Sequence, residues 1–256
     1  MGLGDELMAA GEAQRLSKAF GNCKVAILDK SKVKVRRHEL WANNPHIAKP
    51  GEKFTKSIIN GPEHRSYIKS FSTDKWTWQR YKPIPADMFF SKSEKEFADS
   101  VGDGFVVIEP NLKVKPESVN RDWGWKNFIS VVETFPNLNW VQIGPPSTRV
   151  LPNVRLIKTS SPRMAAAALT KARSFVSHEG GMHHMAAAVG LRGVVIYGGF
   201  ISQNVTGYDI HKHLSATTGL GCGRRYKCAH CQAVMKSITV DMVASSFTEC
   251  LKCTTY

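Results

Sequence analysis

A chain of 256 residues that is 42% apolar can build one large or two modest domains with cores of their own, which excludes a disordered protein. No apolar run approaches the roughly 18–20 residues that span a bilayer, and the first residues show no leader, so the expected location is cytoplasmic, at most on a membrane surface. Its 35 Lys and Arg against 21 Asp and Glu give a net charge of +14, high for a plain metabolic enzyme, and call for an anionic partner: a nucleotide, a nucleic acid or an anionic glycolipid.

The sequence starts on a glycine loop, Gly2-Leu3-Gly4-Asp5-Glu6, followed by a predicted helix over 6–20 and a strand over 24–28. A β-loop-α unit normally has a strand ahead of its loop, and here none precedes it. Lys30, Lys32, Lys34, Arg36 and Arg37 alternate as one strand face would, or form a solvated basic face. From 38 to about 100 the pattern is irregular and rich in Pro, Trp and Tyr, closing on a helix near 92–100. Trp76, Trp78 and Tyr81 lie there among Lys75, Gln79, Arg80 and Lys82, either as core or as a surface that stacks on sugar or base rings. Gly102-Asp103-Gly104 reads as a hinge and divides an N-terminal lobe, 1–101, from a C-terminal lobe, 102–256.

Beyond the hinge, strands and helices alternate: strand 105–109, helix 126–134, strands 139–143 and 154–157, helix 164–172, strand 175–177, helix 182–189, strand 194–197 and a closing helix 241–251. The helix near 164 has Ser161 and Pro162 as cap and first-turn residue. Such alternation predicts a parallel sheet with helices on both faces.

Residues 177–199, SHEGGMHHMAAAVGLRGVVIYGG, are the most informative part. A strand end, two glycines, a small-residue helix and a capping Gly190 follow one another. Such a unit aims free N–H groups and the positive end of a helix dipole past the strand, in most such folds at a phosphate. Gly180 and Gly181 are expected to let the backbone turn tightly, with Glu179 and His184 as polar handles. His178 and His183 could join His184 around a metal, although no partner spacing supports it.

Five of the six cysteines fall after residue 221, and Cys228-x2-Cys231-x18-Cys250-x2-Cys253 has the spacing of paired zinc-ribbon ligands. Clustering of this kind favours a closed structural zinc or iron site over disulfides. The expected ligands are Cys228, Cys231 and Cys250, with Cys222 or Cys253 as the fourth.

Four local motifs resemble the heptosyltransferase family of GT-B glycosyltransferases. Gly4-Asp5-Glu6-Leu7-Met8 resembles its GD-x-hydrophobic loop, and Asn120-Arg121-Asp122-Trp123-Gly124 its basic-x-Trp-Pro segment. The run from Glu179 through Gly180, Gly181 and His184 is similar to its D-[ST]-G-x-x-H donor motif, and residues 228–243 follow the order of its tail. Glu179 stands where the family has aspartate, and Gly180 where it has a hydroxyl residue. The resemblance implies a GT-B-type α/β fold with two Rossmann-like lobes and parallel sheets, the N-terminal acceptor lobe reduced and the C-terminal donor lobe ending in a Cys-rich tail.

It further implies inverting transfer from a nucleotide sugar to an acceptor hydroxyl, with Asp5 as general base. Arg121, Glu179, Gly180, Gly181, His183 and His184 would hold the donor, with backbone N–H groups and Arg121 meeting the diphosphate charge without a catalytic metal. Trp76, Trp78 and Tyr81 would face the acceptor, an anionic glycan or lipid core or a hydroxylated nucleic-acid base. Asp5 also suits a plain helix cap, and His184 a buried structural role. The rival reading is a non-catalytic nucleic-acid-binding protein with a zinc-ribbon-like tail. A nicotinamide-dependent enzyme is disfavoured, because no G-x-G-x-x-G follows a first strand and no Tyr-x-x-x-Lys lies on a helix.

Overall fold

The computed structural model describes residues 2–252. Helix α1 (Leu3–Ala19) starts three residues earlier than expected, because Gly2 is its N-cap and Asp5, at the third helical position, accepts the Gly2 N–H at 2.9 Å. Asp5 and Glu6 also place negative charge at the positive end of the helix. Strand β1 (Val25–Leu28) pairs in parallel with β2 (Lys56–Ile59). The basic run after β1 is a turn and not a strand face: Lys32 has φ +63°, and Arg36 points inward to pair with the buried Glu6 at 2.7 Å. Strands β3 (Ile68–Phe71) and β4 (Trp76–Trp78) form a hairpin. Helix α2 (Lys92–Ser100) falls where expected, closed by a reciprocal cap between Ser91 and Glu94.

The rest of the chain runs β5 (Phe105–Glu109), α3 (Trp125–Thr134), β6 (Trp140–Gly144), β7 (Arg155–Lys158), α4 (Pro162–Leu169), β8 (Ala172–His178), α5 (Gly181–Ala188), β9 (Gly193–Tyr197), α6 (Gln203–Thr206), β10 (Lys212–Ser215), α7 (Ala229–Lys236) and α8 (Val240–Lys252). The six strands β5 to β10 form one sheet in the order β10-β9-β8-β5-β6-β7, parallel throughout. Residues alternate strictly between its faces. Phe105, Val107, Val141, Phe175, Val195 and Tyr197 enter one core with residues of α1, α4 and α5, while Val106, Ile108, Trp140, Val176, Val194 and Ile196 enter another with residues of α3 and α8.

The first of these cores also takes in Leu7, Ala10 and Ala13 of α1 and Val25 and Ile27 of β1. The N-terminal part is therefore packed onto the six-stranded sheet through α1 and α5 instead of hanging from a linker. Gly102 and Gly104, at the expected hinge, both have positive φ.

Candidate active site

Strands β6 and β7 lie on one side of β5 and β8 to β10 on the other, and the carboxyl ends of β5 and β8 open a crevice at this switch point. The crevice encloses about 230 Å³. Glu109 ends β5 and is followed in the wall by Asn111, Lys113, Lys115 and Glu117; His178 and Glu179 end β8, and the N-terminus of α5 follows. Gly2, Leu3, Asp5 and Met8 of the α1 segment form the opposite wall with Tyr67, Trp76 and Trp78.

Asp5 therefore caps a helix and faces the crevice at once. Its Oδ2 accepts the Gly2 N–H and pairs with Arg65 Nη2 at 3.0 Å, and its Oδ1 accepts a hydrogen bond from the Tyr67 hydroxyl. Arg65 and Tyr67 carry no sequence signal that ties them to Asp5; about sixty residues, including most of α1 and strands β1 and β2, intervene.

Arg121 and Glu179 both reach the crevice, where Arg121 Nη1 pairs with Glu179 Oε2 at 3.0 Å. Glu179 Oε1 also accepts from the Thr206 hydroxyl at 3.3 Å, and the Arg121 guanidinium lies over the Phe200 ring at 5.6 Å from its centre. His184 lines the crevice with Nδ1 against the Tyr208 hydroxyl at 2.8 Å. Burial, then the neighbouring His183 and His211, holds its pKa well below the usual imidazole range, so it is a neutral ring.

His183 is a correction. Its Nδ1 accepts the Gly180 N–H at 3.0 Å and its Nε2 faces the Thr206 carbonyl at 3.0 Å, so both ring nitrogens serve the cap of α5 and its neighbour, and neither faces the crevice. Gly180 is another. Its backbone is extended (φ 161°, ψ −161°), so no tight turn requires a glycine there. Glu179, His183 and His184 do form a cluster with metal-type ligand atoms, but the two bonds of His183 leave it no lone pair to offer.

His178 is buried, and its Nε2 accepts the Trp123 N–H at 2.9 Å. The ring proton is then on Nδ1, which has no partner among the described residues; burial, then Arg121, lowers the pKa to about 3. Glu109 is the opposite case: burial raises its carboxyl to about 7, against the pull of the Asn111 N–H. Lys113 and Lys115 also line this wall, and a basic pair spaced two apart just past a strand is a signal present in the sequence itself.

Of the aromatic residues expected to face an acceptor, Trp76 and Trp78 border this crevice and Tyr81 a second cavity beside it. Trp78 is core as well, with its indole N–H donating to the Phe200 carbonyl at 2.8 Å.

The cysteines group differently from the spacing. Cys222, Cys228, His230 and Cys231 place their ligand atoms within 4.8 Å of one another. The Sγ atoms of Cys222 and Cys231 are 2.9 Å apart, and those of Cys222 and Cys228 4.0 Å. A tetrahedral ion with bonds of about 2.3 Å sets sulfur atoms roughly 3.7 Å apart, so three thiols and an imidazole on this scale fit zinc or iron. Cys250 is not part of it, which corrects the expected set: α8 carries Cys250 into the core with Trp140, Val243 and Phe247. Cys253 lies outside the described residues. His230, which the even CxxC spacing does not mark as a ligand, lies between Cys228 and Cys231 in the sequence. Without Cys250, the zinc-ribbon reading and the nucleic-acid-binding protein built on it find no support.

No protein-family model and no curated protein sequence matches the chain. Its fold, however, is that of the GT-B glycosyltransferases of heptosyltransferase type. A glycosyl transferase family 9 structure from Veillonella parvula superposes with a TM-score of 0.67 at 15% identity, covering 98% of this chain and 95% of that one. The iron-containing dodecameric glycosyltransferase TibC from enterotoxigenic E. coli gives 0.63 at 13% identity, over 98% and 76% of the two chains. The E. coli ADP-heptose LPS heptosyltransferase II gives 0.50 at 13%, over 74% and 59%. None of the described helices is long and apolar enough to cross a membrane.

Proposed function

We propose that this chain is an inverting glycosyltransferase that moves a sugar from a nucleotide sugar to an acceptor hydroxyl. The observation that carries this is one crevice with the open N-terminus of α5 on one wall and the carboxylate of Asp5 on the other. Backbone N–H groups of Gly181 and Met182, with Lys113 and Lys115, suit a diphosphate whose negative charge grows as the glycosidic bond breaks. Asp5 then takes the proton of the attacking hydroxyl as general base. The Arg121–Glu179 pair supplies donors and acceptors for the sugar and phosphate from one fixed unit, and neutral His184 a further polar contact.

In this reading residues 102–256 form the donor lobe and residues 1–101 the acceptor lobe. The net charge of +14 supports an anionic acceptor, a glycan or lipid core at a membrane surface or a nucleic-acid base. The neighbouring E. coli enzyme is named for ADP-heptose, which makes ADP-linked sugars the first donors to try. Cys222, Cys228, Cys231 and His230 hold a structural zinc or iron, and TibC is itself iron-containing. That ion would stiffen the fold and take no part in transfer.

The test is a screen of nucleotide sugars by thermal shift, followed by transfer assays and the anomeric configuration of the product. A true donor at a hundred times its Kd stabilises the fold by about 2.7 kcal/mol. Asp5→Ala is expected to keep that stabilisation and to lose transfer by about 10²–10⁴-fold. Absence of any response to nucleotides or nucleotide sugars refutes the function.

A further inference from the structure

The donor crevice does not end at Asp5. A second cavity of about 280 Å³ lies on the other side of the first turn of α1, with Ile58, Asn60, His64 and Tyr81 in its wall. The two cavities share three residues, Asp5, Met8 and Tyr67. A thioether moves no protons, so Asp5 and Tyr67 are the protic side chains at the junction.

We infer that Tyr67 is a second catalytic residue, a phenol that carries the proton of an acceptor hydroxyl, seated in this second cavity, to Asp5. The inference rests on the glycosyltransferase reading and deepens it. Both oxygens of Asp5 already accept hydrogen bonds: Oδ2 from the Gly2 N–H and Arg65, Oδ1 from the Tyr67 hydroxyl. Asp5 borders the second cavity with its acceptor positions already engaged, and beside it stands Tyr67, whose hydrogen is directed at Asp5 and whose oxygen lone pairs remain for an incoming hydroxyl.

The ring is held in place. It stacks beside Trp78 at 6.1 Å between centres, with Tyr81 at 6.3 Å on another side. Burial, and then the charge of Asp5, raises the phenol pKa well above 10, which keeps it a donor to the carboxylate at rest.

The step balances as follows. The acceptor oxygen forms a bond to the anomeric carbon while the bond from that carbon to the diphosphate oxygen breaks, its electron pair leaving with the diphosphate. The acceptor proton passes to the Tyr67 oxygen as the Tyr67 proton passes to Asp5 Oδ1. Tyr67 ends neutral, Asp5 ends protonated, and solvent reclaims the proton after product leaves.

The decisive variant is Tyr67→Phe, assayed for donor stabilisation, kcat, and kcat in mixtures of H2O and D2O. Two protons in flight make the wild-type plot against deuterium content curved. In Y67F the relay gives a straight line, a kcat lower by about 10²-fold and an unchanged thermal shift with the donor nucleotide. A kcat within about threefold of wild type overturns the relay and leaves the transferase reading intact, with Asp5 meeting the acceptor directly. A wild-type chain that binds donors yet transfers and hydrolyses none overturns both. If Y67F loses the donor shift through misfolding, a fluorinated tyrosine at position 67 keeps the shape and the hydrogen bond while making the phenol more acidic. It should then move the basic limb of the pH–rate profile to lower pH, and an unmoved limb rejects the relay.

Discussion

A methyl built on Gly180 would meet nothing within 4 Å, and the extended backbone of this residue is open to any side chain. Gly180 is also the N-cap of α5, a position where serine holds a first-turn N–H better than glycine does. Gly180→Ser therefore restores the hydroxyl that the resembled motif carries, at the mouth of the proposed phosphate site. Expected are a melting temperature at or slightly above wild type and a donor Kd lower by a few-fold, read by titration calorimetry. A clear fall in melting temperature would show that the cap cannot take a side chain. Gly4 is the contrasting case. A Cβ there would lie 2.3 Å from Cδ2 of His184, which is fixed by Tyr208 and buried by α1. Gly4→Ala must displace that ring or tilt α1, a loss of about 1–3 kcal/mol, with weaker donor binding alongside. The two glycines look alike in the sequence, and only their surroundings separate them.

At the scale of elements, the cysteine knuckle acts on the crevice through the hairpin of β3 and β4. The Cys222 N–H bonds the Gly199 carbonyl, the Gly223 N–H bonds Phe200, and the Trp76 N–H bonds Gly223. Asn120, one residue before Arg121, donates to the carbonyls of Arg224 and Tyr226 and accepts the Cys228 N–H at 2.9 Å. An ion held by Cys222, Cys228, His230 and Cys231 would brace Trp76, Phe200 and the Arg121 loop together. Removing it with a chelator, or replacing Cys231 by Ser, is expected to speed amide hydrogen exchange over 68–78, 118–123 and 199–203 and to weaken donor binding, while β5, β6 and β8 stay protected. Uniform exchange across the chain, with or without metal, would refute the bracing. The bonds made by Asn120 and Trp76 cross a hundred or more residues, which is why the knuckle was legible only as a spacing, with Cys250 as a wrong partner. The buried strands β5, β6, β8 and β9 were legible because each is a short apolar run between polar turns. Hairpin β3–β4 and strand β10 were not, since their residues are partly exposed and their pairing is set by neighbours distant in the chain.

For the whole molecule, the parallel sheet, its order of units and the glycine turn at the end of β8 could be read from the alternation of patterns. The shared core between α1 and α5 could not, because nothing in either helix alone specifies the other. That packing also buries histidines, and with them a pH dependence. Burial lowers His178 to about 3, His211 to about 2 and His213 to about 4, and lowers His183 and His184 as well. In the unfolded chain each titrates near 6.5, so between that value and its folded pKa the unfolded state binds more protons and stability falls as pH falls. Glu109 acts in the opposite sense: raised to about 7 by burial, it is protonated in the folded state while ionised in the unfolded one, so its contribution grows on acidification through the same window. From pH 7 to 5.5 His178, His211 and His213 each cost about 1 kcal/mol and Glu109 returns a similar amount, a net loss on the order of 2 kcal/mol, to which His183 and His184 add in the same direction. Melting temperature measured with metal present should fall steeply across that interval, and a flat profile would mean that these rings are solvated. Glu109→Gln separates the two terms. It removes the buried carboxylate and its counter-slope, so the variant should melt higher than wild type at pH 8 and lose more on acidification to pH 5.5. If the two slopes coincide, Glu109 is ionised in the fold at neutral pH and belongs with the charged groups of the crevice.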